Sequence, residues 1–131
     1  MNLASKSSLR GRITVQIDCA LDLTTFICGG KLVFDEIIDQ MKRLYQGIDF
    51  FPTKKNIWDI RNASISSLTV DQLYHIASQF AFVMDGGKTA VVAPQDISYD
   101  IMKIFEAEAI DIPRDFIVFR QMDDAISWLE K

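Results

Sequence analysis

The chain moves between two hydrophobic rhythms. Residues 12–18, RITVQID, place an apolar side chain at every second position, and residues 23–29, LTTFICG, are β-branched and aromatic. Only CALD separates them, a connection short enough for a hairpin, so two antiparallel strands open the chain. In VFDEIIDQMKRLYQG the spacing changes. Ile37, Ile38, Met41, Leu44 and Tyr45 recur at helical intervals, with acids in the first turn, a basic pair near the last, and Gly47 as the stop.

After Pro52 and the polar TKKN, IWDI at 57–60 reads as a short strand of the kind covered on both faces. From Thr69 onward, Val70, Leu73, Ile76, Ala77, Phe80, Val83 and Met84 trace one stripe of a second helix, ended by the Asp85-Gly86-Gly87 turn. KTAVVAP is another buried strand, closed by Pro94. DISYDIMKIFEAEA is a third helix, with Ile97, Ile101, Ile104 and Phe105 on its apolar side. DFIVFR is a last strand, and QMDDAISWLEK a terminal helix anchored by Met122, Ile126 and Leu129. Strands alternating with helices predict a largely parallel sheet with right-handed crossovers, and only the first strand antiparallel at an edge.

With 131 residues the chain has the size of one domain. The expected organisation is a flexible segment over 1–11 and a single domain over 12–131. A net charge of −4 argues against a general grip on nucleic acid or an anionic membrane, both of which need a concentrated basic face. Lys42-Arg43 and Lys54-Lys55 are too small to reverse that. The polar N-terminus, MNLASKSSLRGR, lacks the apolar block of a signal peptide, and no segment reaches the roughly 18 apolar residues of a membrane span. A cytoplasmic location is expected. Cys19 and Cys28 show neither CxxC nor metal spacing and read as buried or half-buried free thiols.

No catalytic constellation is visible, and neither enzymatic activity nor a cofactor or metal is expected. His75, the only histidine, lies off the apolar stripe of its helix and has no partner for catalysis. Asp96 reads as a helix cap, and Asp100, Glu106 and Glu108 as a wet face. DGGK lacks the spacing of a phosphate-binding loop and is a turn. Trp58 and Trp128, with Phe50, Phe51, Phe80, Phe82, Phe105, Phe116 and Phe119, read first as core, with an apolar ligand pocket as the alternative.

The remaining candidate is the passage NIWDIRNASISSLTVDQL. In open α/β sheets ligands meet the carboxyl ends of strands, where loops run into helices. Here such an end gathers Asp59, Arg61, Asn62, Ser64, Ser66, Ser67 and Thr69. A helix cap by Ser67 or Thr69 is expected, with Asp71 favouring the helix dipole. Exposed hydroxyls and N–H groups beside Arg61 form the candidate binding surface.

With the hairpin, WDIRNASISSLTVDQL, VVAPQDISYDIMKIFEAEA and FIVFRQMDDAISWL in place, the chain resembles the SpoIIAA-like superfamily, in its STAS-like or STAS/SEC14-like branch. The resemblance implies a SpoIIAA-like (βα) superhelix, with a five-stranded mostly parallel sheet, an antiparallel N-terminal edge strand and four helices. It also implies a regulatory or protein-interaction role. Members similar to anti-sigma-factor antagonists dock a partner kinase and are switched by phosphate on a serine at the start of the helix after the central strand. The matching positions here read Ser66, Ser67, Leu68, Thr69, without the Asp-Ser-Ser-Gly kind of phrase. The expected function is therefore a non-enzymatic module that binds a protein partner or anion through the loop after the central strand. The alternative is a small apolar-ligand or lipid-binding protein of SEC14-like type. Self-association as a homodimer is also expected, because helices mainly on one side leave a sheet face or edge to cover.

Overall fold

The computed structural model describes residues 11–47, 53–81, 87–94, 96–108 and 115–131, with residues 80 and 81 described by their backbone alone. The expected flexible segment over 1–11 lies almost wholly outside these residues. So do Phe50, Phe51, Phe82, Val83, Met84 and the Asp85-Gly86 part of the second helix stop.

Strand β1, Arg12–Asp18, and strand β2, Leu23–Lys31, form the antiparallel hairpin, from Arg12 opposite Gly29 to Asp18 opposite Leu23. Alternation decides the geometry. Ile13, Val15 and Ile17 turn toward the core side while Arg12, Thr14, Gln16 and Asp18 are exposed. Asp22 closes the turn at φ 54°, a left-handed conformation that Asp tolerates better than most residues. Its carbonyl and carboxylate also accept the N–H groups of Lys55 and Lys54, which ties the hairpin to the start of the next strand.

Helix α1, Phe34–Gln46, leads to β3, Lys55–Ser64; helix α2, Val70–Ala81, leads to β4, Lys88–Val92; helix α3, Ile97–Glu108, leads to β5, Asp115–Phe119; and α4, Met122–Leu129, ends the chain. The strands lie in the order β1-β2-β3-β4-β5, with β1 antiparallel to β2 and all later pairs parallel. Five strands, one antiparallel edge and four helices are the architecture that the alternation predicts.

Two cores sandwich the sheet. On one face Phe26, Cys28, Ile60, Val91 and Val118 meet Ile37 and Met41 of α1, Leu73 and Ile76 of α2, and Met102 and Phe105 of α3. On the other, Ile57, Ala90 and Val92 meet Ala125 and Leu129 of α4. This division follows from period two along β3 and β4, whose successive side chains enter opposite layers. Lys88 donates to the Trp128 carbonyl at 3.4 Å, placing a cation at the C-terminal end of α4 where the helix dipole favours it.

Strand β3 is longer than the apolar IWDI. It continues through Arg61, Asn62, Ala63 and Ser64 because β2 also continues, pairing Gly29 with Asn62, Gly30 with Ala63 and Lys31 with Ser64. Backbone ladder bonds to a neighbour hold these residues extended despite their polarity. Between Ile27/Asp59 and Gly29/Asn62 the register shifts by one residue, a bulge with Ile60 and Arg61 opposite Cys28.

Candidate functional site

The bulge creates the most organised polar feature of the sheet. Arg61 donates from Nε to Asp59 Oδ1 and from Nη2 to Asp59 Oδ2, each at 2.9 Å, and its backbone N–H reaches Oδ1 at 3.1 Å. Asp59 is nearly buried, its side chain 9 % exposed, while the Arg61 side chain is 46 % exposed. The hydrogen bonds and charge of Arg61 hold the Asp59 carboxyl below the usual carboxylate range, against the opposing effect of burial. Reciprocally, Asp59 raises the Arg61 guanidinium. Next to this pair, burial first and the Asp59 charge second push the Cys28 thiol up to about 12.

The other predicted residues divide into small groups. Asn62 and Ser64 are exposed strand residues, not loop residues as their polarity implied. Ser64 and Ser66 share a hydroxyl hydrogen bond at 3.0 Å. Thr69 is the cap of α2: its Oγ1 accepts the Gln72 N–H at 3.1 Å while Gln72 Oε1 accepts the Thr69 N–H at 3.0 Å. This is a capping box, and the T-x-x-Q phrase at 69–72 was its signal. Ser67 is exposed and takes no part in the cap. The structure thus joins Asp59 with Arg61 and Ser64 with Ser66, and sets Ser67 and Thr69 apart on the turn into α2.

The remaining candidates keep structural roles. Asp96 caps α3 by accepting the Ser98 N–H at 2.7 Å. His75 is exposed and meets the edge of Phe34 at 5.4 Å. Cys28 is buried, whereas Cys19 is exposed at the hairpin tip, contrary to the expectation of a covered thiol, because the turn lifts it out of the strand pattern. Among the described residues no group of His, Cys, Asp and Glu is arranged to hold a metal ion, and no helix is long and apolar enough to cross a membrane.

A second feature lies on the sheet face that carries α1 to α3. Between the sheet and helices α1 to α3 is a cavity of about 120 Å³, lined by Trp58, Phe105 and Phe116 together with aliphatic side chains, and by Asn56 and Thr89. Asn56, Thr89 and Phe116 are register partners across β3, β4 and β5, near the amino ends of these strands. Phe119 and Trp128 pack together on the opposite face.

The chain has a SpoIIAA-like fold. It is similar, at a TM-score of 0.54 and 15 % identity, to an uncharacterised protein of the DUF3478 family with a SpoIIAA-like fold from Shewanella loihica PV-4, over 91 % of this chain and 93 % of that one. It is also similar to an anti-sigma factor antagonist from Mycobacterium paratuberculosis, at a TM-score of 0.55 and 10 % identity, over 93 % of this chain and 96 % of the other. No family model and no curated protein matches the sequence.

Proposed function

We propose that this protein is a non-enzymatic interaction domain that docks a protein partner on the carboxyl half of β3 and the turn into α2. The observation that carries this reading is the grip of Asp59 on Arg61, which presents a half-exposed guanidinium on a hydrogen-bonded strand. Two of the five guanidinium N–H donors serve Asp59, and the rest remain to meet carbonyl or carboxylate groups of a partner. A side chain ordered before binding loses less entropy on docking, and Arg is enriched among residues that dominate interfaces. Asn62, Ser64, Ser66 and Ser67 extend the exposed polar surface from Arg61 toward α2. Because Asp59 offsets the charge of Arg61, the surface favours a polar protein epitope over a free inorganic anion. The likeness of the fold to an anti-sigma factor antagonist agrees with a partner of this class.

The test compares the wild type with the Arg61→Ala/Ser67→Ala double variant in affinity capture from the native host. Partners held by the wild type and lost by the double variant, with an unchanged circular dichroism spectrum, are the expected result. Equal retention by both proteins places the working surface elsewhere.

A further inference from the structure

Between the sheet and helices α1 to α3 the side chains leave an apolar cavity of about 120 Å³ that is partly open to solvent. Its walls are largely apolar, with Leu32, Ile65, Val91, Met102, Trp58 and Phe105 among them. Water is held poorly in such surroundings, since each molecule needs two to four polar partners. The volume is close to that of an engineered apolar cavity of about 150 Å³ that binds benzene.

One end differs. Thr89 is 7 % exposed and lines the cavity. Asn56, its half-buried register neighbour on β3, lines the same cavity and accepts the Thr53 hydroxyl on Oδ1 at 3.4 Å. Two adjacent strands therefore bring a hydroxyl and an amide to the same part of a largely apolar cavity. In a largely apolar site a few placed polar groups fix the orientation of a ligand and select one with a matching group.

We propose that this cavity is a binding site for a compact apolar molecule, of one ring or a short acyl chain, carrying a single hydrogen-bonding head that meets Thr89 and Asn56. The site is separate from the Arg61 surface, which lies toward the carboxyl end of β3, and does not depend on it. A long-chain lipid would have to extend out of a cavity of this volume.

Toluene and phenol make a matched pair of probes, equal in heavy-atom count and differing in the hydroxyl. Titrated into the full chain, both are expected to raise the melting temperature in a saturable way, as ligands that bind only the native state do. Thr89→Val, nearly isosteric, should weaken phenol several-fold and leave toluene unchanged. Ala77→Phe, which projects a ring into the cavity, should abolish binding of both. The Thr89→Val comparison still decides the matter if the Ala77→Phe protein does not fold. The proposal is overturned if neither probe saturates the wild type, if Thr89→Val affects the two probes alike, or if palmitate binds as tightly as phenol.

Discussion

Arg61 closes on Asp59 across a single intervening residue, with two side-chain hydrogen bonds of 2.9 Å and a third from its own backbone. In a regular strand, side chains two residues apart stand side by side, roughly 7 Å apart at their Cα atoms. The bulge opposite Cys28 bends the strand and lets the guanidinium fold back on the carboxylate.

This pair makes the fold sensitive to acid. Asp59 titrates lower in the folded protein than in the unfolded chain, so its contribution is present above the ordinary carboxylate value and is lost as pH falls through the lower folded value. Asp59→Asn should cost about 1 kcal/mol at neutral pH, a modest figure because solvent screens the half-exposed partner. Urea unfolding at about pH 7 and about pH 2 should show the gap between wild type and variant narrowing in acid. A gap that stays constant would show that the ionised pair contributes nothing.

Two hydroxyl residues at the mouth of α2 should behave differently. Thr69→Ala removes the acceptor for the Gln72 N–H and should cost about 1 kcal/mol, whereas Ser67→Ala should leave stability within about 0.5 kcal/mol of wild type. Denaturation midpoints of the two single variants separate capping from surface presentation.

The two thiols offer a simple chemical check. Exposed Cys19 should react with a thiol reagent in the native protein, while buried Cys28, pushed up to about 12, should react only when the protein unfolds. One equivalent of reactive thiol before denaturant and two after is the expected count. Fast reaction of both would mean that β2 opens readily.

Phe105 is 2 % exposed and meets the edge of Phe116 at 5.1 Å. Phe105→Ala should cost about 3–5 kcal/mol. Ile104, one residue earlier and 53 % exposed, should tolerate Ile104→Lys within about 0.5 kcal/mol. Thermal melts of the two variants distinguish the buried side of α3 from its outer side.

The fold was legible wherever burial was regular. Ile13 and Val15 on β1 and Leu73 and Ile76 on α2 occupy the sides that their spacing predicts. On α3 the expected apolar side divides: Phe105 is buried, but Ile97 and Ile104 are 72 % and 53 % exposed, and Ile126 of α4 is also exposed. The length of β3 was not legible, because Arg61, Asn62 and Ser64 are kept extended by pairing with β2, a nonlocal cause that composition does not record. For the same reason the polarity of these residues predicts a loop where the structure has a strand. Thr69 as a cap could be read from local phrase and chemistry. The cavity could not, since its walls come from separate elements and its volume depends on how closely they approach. Nor could the orientation of Arg61, which follows from a register shift of one residue.

In the sheet, spatial order repeats sequence order: each strand lies beside the one made just before it. A chain emerging from the ribosome N-terminus first can therefore place each new strand on an edge that already exists. No strand has to wait for a distant later segment to supply its inner neighbour. Each new parallel pairing closes over one helix and its loops alone, and assembly can follow the direction of synthesis with one open parallel edge advancing from β2 toward β5.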